Sequence, residues 1–309
     1  MLVLASLYVV LYTGLCSAYV KQKGCNVYEG KWVYDESYPL FNSKKCPFIR
    51  KEFDCIKYGR SDDQYLKYRW QPNDCDLPRF DGVEFMRILK GKKVIFTGDS
   101  ISLNQWQSLT CLLYTSSYGS NVTHEANESM STVTFQDYGV SIAYFTSHYL
   151  VDIETEQFGR VLKLDSLKNG ELWKQADVLI FNTWLWWYRR GIKQPGAEWN
   201  EPGVRNCSKE TRPLTGSTYP TGVPLAAKVV KETLSSNISS SNSVHLLDIT
   251  TLSQLRKDGH PSTSNGYKGM DCTHWCVAGV PDTWNHLLYA QLVQQQTELD
   301  PDYFSSDYM

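Results

Sequence analysis

The stretch KVIFTGDSISLNQWQSLTCLLY, residues 93–114, decides the fold class of this chain. After Lys93 it opens with β-branched and aromatic residues, which favour a short buried strand. A Gly-Asp-Ser turn ending at Ser100 follows, and the residues from Leu103 to Tyr114 then form a predicted helix. Strand, tight turn and helix in this order are typical of an α/β protein.

Other segments extend this pattern over residues 81–300. Further strands are predicted at Val140–Phe145, Asp177–Asn182 and Val244–Ile249, and further helices from the cap residue Asp81 to Leu89 and from Asp282 to Gln296. Strands separated by helical stretches predict a parallel sheet flanked by helices on both faces.

Composition limits the size of the core and the kind of partner. The chain has 309 residues, of which 42% are hydrophobic, enough for one large domain or two small ones. Its formal net charge is -2, so it offers no basic field for a nucleic-acid backbone. Nucleic acid is therefore excluded as a partner.

The first 20 residues contain no charged side chain and carry small residues at Cys16 and Ala18. This predicts a signal peptide that is cleaved after Ala18. An uncleaved signal anchor is the alternative, because the apolar run nearly reaches the ~20 residues that span a bilayer. A buried N-terminal helix is a third interpretation. The first two place the body in the secretory lumen, with membrane contact only through an anchor.

Cysteine usage indicates the same compartment. Nine cysteines are present, and loss of Cys16 with the leader leaves eight, which predicts four disulfides in an oxidising environment. Spacing alone leaves roughly 105 pairings open. No cysteine or histidine spacing indicates a metal site. Residues 24–80 are rich in cysteine and aromatic residues and are predicted to wrap the body. Possible glycosylation acceptors are Asn121, Asn127, Asn206 and Asn237.

Ser100 is the first candidate for chemistry. It is predicted to lie outside the carboxyl end of a strand, where the N-terminus of the next helix favours a developing oxyanion. A serine becomes nucleophilic near neutral pH only with a base in hydrogen-bond reach. A Gly-Asp-Ser tripeptide is also typical of a turn with a helix cap, so alone it leaves both interpretations open.

Asp271 and His274 supply the missing partners. An acid three residues before a histidine can orient the imidazole as a general base. Cys272 and Cys276 bracket His274, and disulfides at both would pin its loop. A structural histidine in a tethered loop is the alternative. Taken with Ser100, the pair predicts a Ser-His-Asp triad.

Four ordered motifs carry a family resemblance. CNVYEGKWV (25–33) with WQPNDC (70–75), TGDSISLNQWQSL (97–109), FNTWLWW (181–187) and DCTHWCVAGVPDTWN (271–285) resemble the plant trichome birefringence-like family. The resemblance implies a GDSL/SGNH-hydrolase-like fold, with Ser100 as nucleophile, His274 as base and Asp271 as orienting acid. It also implies the disulfides Cys25–Cys75, Cys46–Cys111, Cys55–Cys276 and Cys207–Cys272.

The resemblance also implies an activity and a place. It indicates an O-acetyltransferase of the Golgi lumen that acts on plant cell-wall polysaccharide, namely xylan, pectin or mannan. Such an enzyme binds no cofactor but requires an acetyl donor; secretion to the wall is the alternative location. Many members carry Arg where this chain has Leu103, which keeps a polysaccharide acetylesterase with water as acceptor open. A non-catalytic wall-polysaccharide binding protein is the third hypothesis.

Supporting residues are predicted around the triad. Asn104 lies one helical turn after Ser100 and is predicted to donate to the oxyanion, with helix packing as the alternative. Asn182 ends a predicted strand and resembles the asparagine of GDSL-type oxyanion holes; a turn-forming role is its alternative. The rings of Trp184, Trp186 and Trp187 suit either sugar stacking or core packing.

Overall fold

The computed structural model describes residues 7–12, 25–117, 119–183, 185–188, 206–220, 222–237 and 243–299. Its strands are β1 (Leu7–Tyr12), β2 (Gly30–Tyr34), β3 (Tyr68–Pro72), β4 (Lys93–Gly98), β5 (Val122–Ala126), β6 (Met130–Phe135), β7 (Val140–Thr146), β8 (Asp152–Glu156), β9 (Gly159–Lys163), β10 (Val178–Asn182) and β11 (Ser243–Asp248). Its α-helices are α1 (Gly82–Ile88), α2 (Ser100–Ser116), α3 (Leu185–Tyr188), α4 (Leu225–Asn237), α5 (Thr250–Gln254) and α6 (Val280–Leu299). Four 3-10 helices are found within these residues, at Ser43–Lys45, Gln64–Lys67, Lys168–Gln175 and Lys257–Gly259.

Within the described residues, seven strands form the main sheet in the order β11-β1-β10-β4-β7-β6-β5. Strand β4 lies between β10 and β7 and is parallel to both, as the sequence predicts for its central strands. Strands β5, β6 and β7 are antiparallel, because only short turns connect them. The predicted α/β sheet flanked by helices is thus confirmed, and the sheet is mixed.

The main hydrophobic core lies between one face of the sheet and helices α1, α2 and α6. Asp81 caps α1 by accepting hydrogen bonds from the backbone of Val83 and Glu84, as predicted. A smaller cluster that includes Ile95 and Phe145 covers the opposite face. The helices therefore fix the position of the carboxyl end of β4, after which Ser100 begins α2.

The N-terminal segment packs on the body through the antiparallel two-stranded sheet of β2 and β3. Trp32 and Trp70 meet edge to face, with ring centroids 5.6 Å apart. The indole of Trp32 also donates to the carbonyl of Leu252 at 2.8 Å and lies 4.3 Å from the guanidinium of Arg256. Arg256 is buried and pairs with Asp258 at 2.9 Å. The predicted wrapping by a disulfide-stapled segment is confirmed.

Strand β1 falls in the stretch for which the sequence predicts a leader. It pairs antiparallel with β10 and with β11, so it closes the gap between them. No strand is predicted here from the leader pattern, although Tyr8, Val9 and Val10 favour extended backbone. Cleavage after Ala18 would remove β1 from the sheet, and neither cleavage nor anchoring is tested by this pairing, so both stay predictions. None of the helices in the described ranges is both long enough and apolar enough to cross a membrane.

Candidate active site

Ser100 lies at the carboxyl end of β4 and is the first residue of α2. The preceding residue, Asp99, is buried and caps the helix by accepting a 2.9 Å hydrogen bond from the backbone of Ile101. Burial raises the pKa of Asp99 to about 6. The carbonyl of Gly98 accepts a 2.8 Å hydrogen bond from the backbone of Ser147, which ties the turn to the segment after β7. The serine therefore sits on a fixed turn at a helix N-terminus.

The loop after β11 and α5 brings Asp271 and His274 to Ser100. The Ser100 hydroxyl donates to Nε2 of His274 at 2.7 Å, and Nδ1 of His274 donates to the Asp271 carboxylate at 2.7 Å. The other oxygen of Asp271 accepts from the backbone of Thr273 and His274, at 2.9 and 3.1 Å. The structure thus joins the three predicted residues in one chain of hydrogen bonds, in the geometry of a Ser-His-Asp triad.

The charge of Asp271 and the burial of the site set the pKa of His274. Burial lowers the pKa of His274, but the charge of Asp271 and its hydrogen bond outweigh burial and hold the pKa above the ordinary 6.5. Burial raises the pKa of Asp271, but His274 and the hydrogen bonds overcome this and lower it to about 2. Asp271 therefore stays ionised and favours a proton on the imidazole, as a general base requires.

Disulfides pin the loop that carries the base. Cys207–Cys272 and Cys55–Cys276 attach it on both sides of His274, and the other pairs are Cys25–Cys75 and Cys46–Cys111. All four implied pairings are confirmed. Ser262 and Asp271 also exchange two backbone hydrogen bonds, of 2.8 and 2.9 Å, which close the loop on itself. The base is thus held by covalent and backbone contacts together.

For Asn104 the structure favours the alternative interpretation, helix packing. Its side chain is fully buried, and both ends of its amide bond the backbone of Trp275. The oxygen accepts from the Trp275 N–H at 2.8 Å, and the nitrogen donates to the Trp275 carbonyl at 3.0 Å. The buried amide of Asn104 thus ties α2 to the loop of His274.

Asn182 ends β10 beside the carboxyl end of β4, since its register partner there is Gly98. Its side chain is 1% exposed, and within the described residues its Nδ2 has no hydrogen-bond partner. An unused buried donor costs free energy unless something else occupies it. Asn182 therefore keeps an oxyanion role as a proposal.

The predicted sugar-stacking tryptophans have different settings. Trp184 lies outside the described residues. Trp187 is 43% exposed, meets Tyr149 edge to face at 5.3 Å, and donates from its indole to the Thr183 hydroxyl. Trp186 meets the ring of His148 edge to face at 4.5 Å. Trp187 thus offers an open ring, whereas Trp186 is partly covered.

Sequence reasoning missed Phe53 as part of the site. Its ring packs against the imidazole of His274, with centroids 5.2 Å apart, and its carbonyl accepts from the backbone of Val277. The one signal in the sequence was its position two residues before Cys55, whose partner is Cys276.

A serine at a helix N-terminus, a histidine base and a buried carboxylate, set at the edge of an α/β sheet, define a serine esterase or acyltransferase of GDSL type. Comparison with known proteins agrees. Residues 77–197 and 194–291 match the GDSL/SGNH-like acyl-esterase family found in Pmr5 and Cas1p. Residues 23–76 match the PMR5 N-terminal domain.

Three relatives from Arabidopsis thaliana are similar over most of this chain. Protein trichome birefringence-like 38 is 44% identical, over 88% of this chain and 85% of its own length. Protein trichome birefringence-like 43 is 42% identical, over 88% and 89% respectively. Protein trichome birefringence is 31% identical, over 90% of this chain and 57% of its own. The chain therefore belongs to the trichome birefringence-like family, as its motifs predict.

Proposed function

We propose that this protein is an O-acetyltransferase that moves an acetyl group through a Ser100 acetyl-enzyme to hydroxyls of plant cell-wall polysaccharide, namely xylan, mannan or pectin. The observation that carries the proposal is the unbroken hydrogen-bond chain from Ser100 through His274 to Asp271, with 2.7 Å at both links. Family membership supports an acyl-esterase or acetyltransferase type of enzyme.

The first half-reaction loads the enzyme. His274 takes the hydroxyl proton as Ser100 attacks the carbonyl carbon of an acetyl donor. The oxyanion of the tetrahedral intermediate is held by backbone N–H groups at the start of α2 and by Asn182. The intermediate then collapses, the bond to the leaving group breaks, and His274 returns the proton to that group. Ser100 is left as an acetyl ester.

The second half-reaction transfers the acetyl group to the acceptor. A sugar hydroxyl gives its proton to His274 and attacks the ester carbon of acetylated Ser100. The second intermediate forms at the same oxyanion site, and its collapse releases the O-acetyl sugar while the proton returns to Ser100. Trp187 offers an exposed ring for the polymer, because aromatic faces stack on sugar rings.

Hydrolysis is the second candidate function, with water in place of the sugar hydroxyl. The observation in its favour is Leu103, which lies three residues after Ser100. Its side chain is only 7% exposed and belongs to the main core. An apolar side chain at this position gives no charged contact to hold a donor or an acceptor. The same triad then acts as a polysaccharide acetylesterase.

The proposed location is the Golgi lumen, through an N-terminal anchor, or the cell wall after secretion. Four disulfides support a lumenal site, because such bonds form and persist in oxidising compartments. The sequons at Asn121 and Asn127 flank the exposed strand β5, where a glycosylating enzyme can reach them.

The test is product analysis with the purified full chain. De-acetylated xylan, mannan and pectin are incubated with a soluble acetyl donor, and the acetylated forms are incubated alone. We expect new sugar O-acetyl groups in the first set, loss of activity in Ser100→Ala, and full activity in Ser116→Ala, a control serine in the last turn of α2. Acetate release from acetylated polymer without transfer would select the esterase. Activity that persists in Ser100→Ala would refute both.

A further inference from the structure

The peptide bond between His274 and Trp275 is held at both of its polar atoms. Nδ1 of His260 bonds the His274 carbonyl at 2.6 Å, and Oδ1 of Asn104 bonds the Trp275 N–H at 2.8 Å. We propose that His260 and Asn104 form a peptide clamp that aims the imidazole of His274 at Ser100, which makes both of them positioning residues. This inference rests on the proposed function of the triad.

The chemistry of the contact determines the state of His260. A carbonyl oxygen only accepts hydrogen bonds, so Nδ1 of His260 must carry the proton that it donates. His260 is 2% exposed, and burial lowers its pKa to about 4, so the ring is neutral near neutral pH. His260 therefore acts as a fixed donor and does not exchange protons with the substrate.

The clamp itself is immobilised by its surroundings. The ring of His260 lies over the indole of Trp275, with centroids 4.8 Å apart and an interplanar angle of 35°. The guanidinium of Arg60 donates to the His260 carbonyl at 2.9 Å and to the Asp258 carbonyl at 2.6 Å. Arg60 belongs to the N-terminal segment, so that segment supports the clamp from outside the catalytic body.

Asn104 links the clamp directly to the nucleophile. It lies one helical turn after Ser100 on α2 and bonds both the N–H and the carbonyl of Trp275. A shift of α2 thus carries the nucleophile and the backbone of the base together. Reacting groups displaced by ~1 Å lose up to about a hundredfold in rate, which is why such coupling matters.

The test compares two variants of His260. In His260→Asn the amide nitrogen stands at the place of Nδ1 and can still donate, whereas His260→Leu has similar size and no donor. The readout is the rate at which a fluorophosphonate probe labels Ser100, together with kcat and KM for a small acetate ester. We expect labelling to fall about tenfold or more in His260→Leu with KM unchanged, and to return to within about threefold of wild type in His260→Asn.

His286 provides a matched control. It is also a buried histidine whose ring nitrogen bonds a backbone carbonyl, that of Pro78, but it lies on α6 and does not touch the triad. We expect His286→Leu to lower the melting temperature about as much as His260→Leu and to leave labelling of Ser100 unchanged. Equal loss of labelling in both variants, or none in His260→Leu, overturns the clamp. Wild-type protein that does not label overturns the proposed function and the clamp with it.

Discussion

Phe53 lies in the N-terminal segment, and its ring packs against the imidazole of His274 with 5.2 Å between the centroids. Two residues later, Cys55 forms a disulfide with Cys276, which spans 221 positions of sequence. The backbone of Val277 donates to the Phe53 carbonyl at 3.0 Å. The segment that matches the PMR5 N-terminal domain thus supplies a ring that packs on His274, the candidate base, and a disulfide that attaches the loop of His274.

Removal of the Cys55–Cys276 disulfide should lower activity beyond what its effect on stability explains. In Cys55→Ala with Cys276→Ala, we expect the loop of His274 to lose its fixed position and kcat to fall at least tenfold. The control removes Cys25–Cys75, whose separation is 50 and which does not touch the triad. The entropy of the unfolded chain predicts that the free energy of unfolding falls by about 5 kcal/mol without Cys55–Cys276 and by about 4 kcal/mol without Cys25–Cys75. Activity is measured at a temperature where circular dichroism shows both variants folded. Equal kcat in the two would contradict the tether role.

The triad and its framework could be predicted because each local signal agreed with the fold. Asp81 before an apolar run predicted the cap of α1, and the β-branched residues before Gly98 predicted β4. The spacing of Asp271 and His274 predicted their contact, since three residues bring both side chains to one side of a turn. Each of these features depends on a short stretch of sequence, so residue type and spacing are enough to predict it.

What could not be predicted depends on residues far apart in the chain. Asn104 has the spacing of an oxyanion donor, but Trp275, 171 positions away, occupies both ends of its amide. His260 lacks a motif partner, and its contact with the His274 carbonyl arises only when two loops fold together. No local pattern distinguishes a side chain that faces the substrate from one that faces the backbone of a neighbouring loop.

The dependence of activity on pH should report the His274–Asp271 pair. His274 is a base only when neutral, so activity is lost as pH falls through its pKa. Because Asp271 holds that pKa above 6.5, we expect the acidic limb of kcat/KM to have its midpoint above 6.5. In Asp271→Asn the burial of the imidazole is opposed only by the more weakly acting charges of Asp99 and Glu52, so the midpoint should fall, and the plateau should drop roughly 10⁴-fold. The measurement is kcat/KM for a small acetate ester across the acidic and neutral range; an unchanged midpoint would exclude Asp271 as the partner.

The open ring of Trp187 should matter for polymers and not for small esters. In Trp187→Ala we expect KM for the polysaccharide to rise roughly tenfold, about 1.4 kcal/mol, while kcat/KM for a small acetate ester stays unchanged. Tyr34→Ala is the control, because Tyr34 is 51% exposed but lies on the separate two-stranded sheet of β2 and β3. The comparison uses initial rates on polymer and ester side by side. A loss of kcat/KM on both substrates would show that Trp187 acts on the triad and does not bind the polymer.

Asn182 allows the sharpest test of the oxyanion site, because its role in stability and its role in chemistry predict opposite results. Among the described residues its Nδ2 has no partner, so Asn182→Ala breaks no hydrogen bond from that nitrogen and should change the free energy of unfolding by less than about 1 kcal/mol. If Asn182 donates to the oxyanion, kcat should nevertheless fall by roughly 10² to 10³ with KM unchanged. Asn285→Ala is the matched control: its Nδ2 donates to the Gln105 carbonyl at 3.1 Å and to the Ser108 hydroxyl at 2.9 Å, away from the triad. That variant should cost about 2 kcal/mol in denaturant unfolding and keep its kcat. A normal kcat in Asn182→Ala would leave the oxyanion to the N-terminus of α2 alone.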